Sequence, residues 1–257
     1  MPTNRGTTQI GKFYRGTTQI QKIYRGTNLI YTASIGNDKG LYLRNTSVTG
    51  IKLGSAGYQP FTGKKDNTTE TWSMVFNVVW LGGTGGRLFQ YGNAGDRSSE
   101  IKITNDGYIQ VHCKRSEIGV DRTFTSTSKL VTGFNQIGIS YTGGIVINGV
   151  NRTPSGWSLD MRIYNDQIYL FQDNINAVCL AYCGWGSDLT NANLIAKTKI
   201  DYALESDASC AFRFNFDGNI NYNRMIYSGD AAVVSLQGGT PVYYSYEWND
   251  DRESEQI

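Results

Sequence analysis

From Leu41 to about Tyr246 the chain is a succession of short apolar runs broken by Gly, Asn and Asp. Such spacing leaves room for strands but not for a bundle of long helices. Runs of this kind are Trp72-Ser73-Met74-Val75-Phe76-Asn77-Val78-Val79-Trp80, Ile101-Lys102-Ile103 and Tyr108-Ile109-Gln110-Val111. Further ones are Gln136–Tyr141, Ile145–Ile147, Gln167–Phe171, Val178–Tyr182 and Ala211–Phe214. Alternation within many of them turns one face inwards. The breaks carry turn chemistry: Asn105-Asp106-Gly107, Thr142-Gly143-Gly144 and Asn148-Gly149. One segment departs from this pattern, Ser187 to Lys197, which reads as a helix capped by Thr190 with Leu194 and Ile195 towards a sheet. The fold class expected is all-β, a sandwich or barrel of many short strands with one short helix.

Composition supports this and excludes several alternatives. Aromatic residues make up 12% of the 257, with 17 Tyr and 5 Trp, and there are 30 Gly. Charged residues are 18%, too few for a disordered chain. There is no run of 18 apolar residues to cross a bilayer. The net charge of +2 is too small for a nucleic-acid binder. Met1-Pro2-Thr3-Asn4-Arg5-Gly6 lacks the apolar stretch of a signal peptide, so synthesis in a cytoplasm is expected.

The ends differ from the middle. Arg5-Gly6-Thr7-Thr8-Gln9-Ile10 returns as Arg15-Gly16-Thr17-Thr18-Gln19-Ile20 and, loosened, as Arg25-Gly26-Thr27-Asn28-Leu29-Ile30, a period of ten. One turn per unit leaves strands of about seven or eight residues, suited to a small β-meander. Residues 1–37 hold Arg5, Lys12, Arg15, Lys22 and Arg25 and no acid, whereas 247–257 are net negative. Three short strands alone bury little, so the segment is either a leader or ribbon on the main domain, or an assembly tag ordered against another subunit. The organisation expected is a repeat over 1–37, a sandwich over 38–246 and an acidic tail over 247–257.

The ten-residue unit resembles the tandem repeats at the ends of tailed-bacteriophage structural proteins, over about the first 31 residues. That resemblance implies a virion protein, assembled in the host cytoplasm, that docks on capsid or tail through Arg5, Ile10, Lys12, Tyr14, Arg15, Ile20, Lys22, Tyr24 and Arg25. The main domain is similar in motif order to the concanavalin A-like, laminin-G-type jelly roll. The matching pieces are the aromatic run Trp72–Trp80, the glycine loop Gly82–Gly86 before Leu88-Phe89, Ile101–Val111, Ile145–Val150, and Val178 to Lys197. Phe134-Asn135 stands where that family has a Trp before its central strand.

Catalytic chemistry is not advertised. The Glu-x-Asp-x-x-Glu strand of glucan-cleaving jelly rolls is absent, and Asp201 with Glu205 reads as a solvated edge. The single His112 leaves a Ser-His-Asp triad unsupported. Cys179 and Cys183, four apart on a strand, place both sulfurs on one face about 13 Å apart, too far for one metal. The cysteines are therefore expected as buried thiols, and no cofactor is expected. Gly82–Gly86 and Ser126-Thr127-Ser128-Lys129 imitate a phosphate loop and a Ser-x-x-Lys nucleophile without their partner motifs, and both read as loops. Asp217, Asn219 and Asn221 alternate oxygen ligands but fall short of a full calcium set.

Binding remains. Trp157, Trp185 and Tyr222 lie near turns, where aromatic faces stack on sugar rings; the alternative is that they pack under loops or against a neighbouring subunit. The sequence thus points to a non-enzymatic virion component, a head fibre or capsid decoration that is a homo-oligomer and displays a jelly roll. The other readings are a tail adhesin, or a free lectin-like module for a host-surface glycan, with no nucleic acid or membrane as partner.

Overall fold

In a computed structural model, side chains are described for residues 72–92, 98–116, 119–158, 169–173, 175–185 and 187–199, with Leu204 and Ser209; elsewhere only strand backbone is described. Six short strands come first: β1 (Asn4–Arg5), β2 (Thr8–Gln9), β3 (Tyr14–Arg15), β4 (Thr18–Gln19), β5 (Lys22–Arg25) and β6 (Asn28–Thr32). They pair as three separate hairpins, each closing over a Gly-Thr dipeptide. Each pair is a two-stranded ladder of its own.

The remaining strands are β7 (Lys39–Tyr42), β8 (Gly50–Leu53), β9 (Ser73–Trp80), β10 (Gly86–Tyr91), β11 (Arg97–Ile103), β12 (Tyr108–Arg115), β13 (Val120–Lys129) and β14 (Gly133–Ser140). They continue with β15 (Gly144–Ile147), β16 (Val150–Asn151), β17 (Ile168–Gln172), β18 (Ala177–Trp185), β19 (Phe212–Asn215), β20 (Ile226–Tyr227), β21 (Val234–Gln237) and β22 (Val242–Ser245). One sheet runs β13-β12-β11-β10-β17-β8-β21; the other runs β16-β15-β14-β9-β18-β19-β20, with β7 and β22 joined to it. Every pairing is antiparallel, and strands distant in sequence lie side by side, as β9 does between β14 and β18. The chain is a jelly-roll sandwich, with one short helix among the described residues, as its motif order implies.

The core lies between the two sheets. Phe76 of β9 meets Phe171 of β17 edge-on at 6.3 Å and Tyr182 of β18 at 5.0 Å, and all three are buried. Ile101, Ile109, Val111, Ile137 and Ile139 fill the space around them. Each such side chain contributes about 1.5–3 kcal/mol by leaving water. Phe171 holds this position with φ 54°, a left-handed conformation that an aromatic residue seldom adopts. Its ring burial is what offsets that backbone cost.

The outer face of the second sheet is also covered, so β9, β14 and β18 are buried along almost their whole length. Helix α1 (Asn191–Lys197) lies over it, with the Thr190 hydroxyl accepting a bond from the Asn193 amide at 3.3 Å. Leu194 is buried among Val75, Val146, Ala181 and Trp185. The helix sits directly on Gly138, where an added Cβ would stand 2.6 Å from Thr198 Cγ2. Ser73 pins the approach to the helix by donating to Ser187 O at 2.9 Å and accepting from Leu189 N at 2.7 Å.

Two sequence expectations are corrected here. Cys179 and Cys183 face opposite sides of their sheet, Cys179 in the central core and Cys183 beneath the helix. A bulge between Cys179 and Ala181 in the pairing of β18 with β9 inserts one residue and inverts the alternation. Ser126–Lys129 is the end of β13 and not a loop. Its Ser126 hydroxyl accepts from Ile109 N at 3.0 Å and donates to Ser128 O at 2.7 Å, so a polar side chain takes over part of the ladder.

Candidate binding face

Register across the first sheet brings polar residues together on its outward side. Burial alternates along β12, leaving Tyr108, Gln110, His112 and Lys114 half-exposed while Ile109, Val111 and Cys113 point to the core. Arg87 stands opposite Gln172 on one side and Lys102 on the other; Lys102 stands opposite Gln110, and Gln110 opposite Thr125. These five form one cross-strand row. A second row, two residues further along on β11, β12 and β13 and three on β10 and β17, is Tyr169, Gln90, Glu100, His112 and Thr123. At about 4.8 Å between strands each row extends about 19 Å.

Arg87, Gln90, Gln110 and His112 are tied by hydrogen bonds within the rows or to residues beside them. Both Asp173 carboxylate oxygens accept from Arg87, through Nε and, at 2.6 Å, through Nη2, while Arg87 Nη1 donates to Gln90 Oε1. Hydrogen bonding to Asp173 pushes the guanidinium further above its already high value, and the charge of Glu100 adds to this. Gln90 in turn donates to Gly92 O at 3.4 Å. Gln110 Nε2 donates to Thr125 Oγ1 at 3.3 Å, His112 Nε2 lies 2.9 Å from Asp121 Oδ1, and Lys129 Nζ sits 5.4 Å from the Tyr108 ring centre. The result is a strip of amide, guanidinium, carboxylate, imidazole and hydroxyl groups. Such groups bond in pairs to vicinal hydroxyls, with donors and acceptors both on offer.

The residues singled out in the sequence lie elsewhere. Trp157 is half-buried: its Nε1–H donates to Tyr141 O at 3.0 Å and its ring meets Phe124 at 5.1 Å, beside the core. Trp185 is 3% exposed, with its Nε1–H on Ser209 Oγ at 3.2 Å and Lys197 Nζ 5.0 Å from its ring centre. The expected sugar contact at Trp185 is corrected to packing under the helix, because its ring presents no face to solvent. Trp157 and Trp185 therefore do not converge on one site. Tyr222, Asp201, Glu205, Asp217, Asn219 and Asn221 lie outside the described residues. So do the side chains of Arg5, Ile10, Lys12, Tyr14, Arg15, Ile20, Lys22, Tyr24 and Arg25. Among the described residues no group of three His, Cys, Asp or Glu side chains is placed to hold a metal ion. Asn135 of the Phe134-Asn135 pair is fully buried, donating to Val131 O at 2.8 Å and Gly133 O at 3.0 Å, so it shapes the turn into β14.

No protein-family model matches the chain. No curated protein matches it either. Among solved structures, it is similar to a heptameric SAP-like pentraxin from Limulus polyphemus, with 7% identity and a TM-score of 0.48 over 81% of this chain and 94% of that one. The CBM40 of the Ruminococcus gnavus IT-sialidase gives 14% identity and a TM-score of 0.41, over 63% of this chain and 100% of that one. The NanB sialidase of Streptococcus pneumoniae gives 13% identity and a TM-score of 0.41, over 54% of this chain and 26% of that one. At these identities and scores no functional property transfers.

Proposed function

We propose that this chain is a non-catalytic binding module displayed on a bacteriophage particle, with the outward face of its seven-stranded sheet as the surface that meets a saccharide. The observation that carries the binding half is the pair of cross-strand rows from Gln172 to Thr125 and from Tyr169 to Thr123. Side chains from five strands supply donors and acceptors along a strip long enough for several sugar units. The Arg87–Gln90 and Gln110–Thr125 hydrogen bonds hold those four side chains in place before a ligand arrives, which lowers their ordering cost on binding.

The display half rests on the N-terminal repeat. Each copy is a compact hairpin carrying basic residues, and three in tandem offer a partner several strand edges of like chemistry. Whether the partner is capsid or tail, many copies on one particle convert weak sugar contacts into useful avidity.

Two experiments test the reading. A glycan array probed with the full chain is expected to show binding to saccharides of several units; no binding to any glycan removes the binding half. Quantitative mass spectrometry of purified particles is expected to find a high, reproducible copy number that falls on deletion of residues 1–37. Protein found only free in the lysate removes the display half and leaves a free lectin-like module.

A further inference from the structure

Most edge strands of the two sheets are short: β16 and β20 have two residues each, and β21 and β22 have four. Short edges are one way a protein avoids pairing with other chains. Strand β13 is the exception. It is the outer strand of its sheet and has ten residues.

The two halves of β13 differ. Beyond Thr125 its register with β12 shifts, and the Thr127 amide donates to Arg152 O at 2.9 Å, so that half of the edge is bulged and capped. From Val120 to Thr125 the register is unbroken, and Asp121, Arg122, Thr123 and Thr125 are exposed. This half contains no Gly or Pro and is rich in residues suited to strands, Val120, Thr123, Phe124 and Thr125. It is regular in register, largely exposed and strand-prone, with one side of its backbone turned away from β12.

We propose that this half-edge is a homodimer interface, in which β13 of one copy pairs antiparallel with β13 of a second copy about a two-fold axis at Thr123. For the outward faces of both sheets to lie on the same side, outward residues must pair with outward residues, which restricts the register to steps of two. Moving the axis to Arg122 sets two guanidinium groups opposite each other, and moving it to Asp121 does the same with two carboxylates. Moving it to Phe124 carries the ladder onto Thr127, whose amide is already given to Arg152. With the axis at Thr123, Thr123 meets its own copy, Asp121 meets Thr125, and Arg122 stands opposite Phe124 with no like charges opposed; within its own chain Arg122 donates to Ser158 O and Oγ, and the Phe124 ring meets Trp157.

The same register has a consequence for the polar face. The row Tyr169, Gln90, Glu100, His112 ends at Thr123, so the two-fold joins the rows of both copies end to end. A single polar strip then crosses both sheets. The dimer itself does not depend on whether that strip binds sugar. Five residues of strand pairing, 121–125, make a small interface by the standard of stable dimers, so dissociation in roughly the micromolar range is expected.

Analytical ultracentrifugation of the full chain across the micromolar range tests this. A concentration-dependent monomer–dimer equilibrium is expected, and Thr123→Lys, which opposes two ammonium groups at the axis, is expected to raise the dissociation constant by at least about tenfold. Because Thr123 is exposed, the melting temperature of that variant at high dilution is expected to match the parent. Thr123→Cys is expected to be captured as a dimer by a short bis-maleimide, and Lys129→Cys is not. A monomer at every concentration, a dimer that Thr123→Lys leaves intact, or capture through Lys129→Cys and not Thr123→Cys would overturn the proposal.

Discussion

Arg87 and Asp173 are joined through two guanidinium nitrogens and both carboxylate oxygens, across the pairing of β10 with the end of β17. Asp173 makes this pair from a left-handed backbone, φ 68°. Its carboxylate is about half exposed, so the ion pair contributes less than about 1 kcal/mol. The backbone term is of similar size and opposite sign. Asp173→Ala loses the pair and keeps the strain, whereas Asp173→Gly loses the pair and relieves it. In urea unfolding Asp173→Gly is therefore expected to be the more stable of the two by about 1 kcal/mol; equal stabilities would show that φ at this position carries no cost.

Gly138 is the floor on which α1 rests. A Cβ there would meet Thr198 Cγ2 at 2.6 Å and Leu194 Cδ1 at 2.8 Å. Gly138→Ala is expected to lift the helix and cost about 1–3 kcal/mol, the usual range for overpacking. Thermal denaturation followed by circular dichroism checks this, and an unchanged midpoint would mean that the helix does not pack here.

Cys179 is buried completely, and loss of hydration pushes its thiol well above the ordinary value of 9.0. The folded thiol stays protonated while the unfolded one ionises, so above pH 9 the unfolded state binds fewer protons. Stability supplied by this group is intact below the ordinary thiol pKa and declines as pH rises above it, by up to about 1.4 kcal/mol per pH unit. The difference in unfolding free energy between parent and Cys179→Ala is expected to shrink between pH 9 and 10.5; a constant difference would refute the assignment. Alkylation of Cys179 is expected only on unfolding.

Trp157 is assigned to packing by its bond to Tyr141 O and its contact with Phe124. Trp157→Phe keeps one aromatic ring but loses the rest of the indole and its donor, at an expected cost of at least about 1 kcal/mol in stability. Saccharide affinity is expected to stay as in the parent. A large loss of affinity without loss of stability would return Trp157 to the binding surface.

The strands of the core were legible because their apolar residues alternate or run together, as in Trp72–Trp80, and because Asn148-Gly149 has the positive φ values, 52° and 76°, that its tight turn requires. The helix was legible from Thr190 and Leu194. Strand β13 was not, because its Ser and Thr residues show no apolar alternation and its pairing is set by β12. The opposed faces of Cys179 and Cys183 were hidden by a bulge, which leaves no mark in the sequence. The polar rows were hidden for another reason: Arg87, Lys102, Gln110, Thr125 and Gln172 are far apart along the chain, and only register across five strands aligns them.

The central claim is that the outward rows bind a saccharide. The most direct measurement is a calorimetric titration of the full chain with the best saccharide from the array, beside the double variant Gln90→Ala and Gln110→Ala. The account predicts that affinity falls by about tenfold or more, since two side chains with paired amide donors and acceptors are lost, while the melting temperature hardly moves. Unchanged affinity in the folded double variant would contradict it and place the ligand elsewhere on the sandwich.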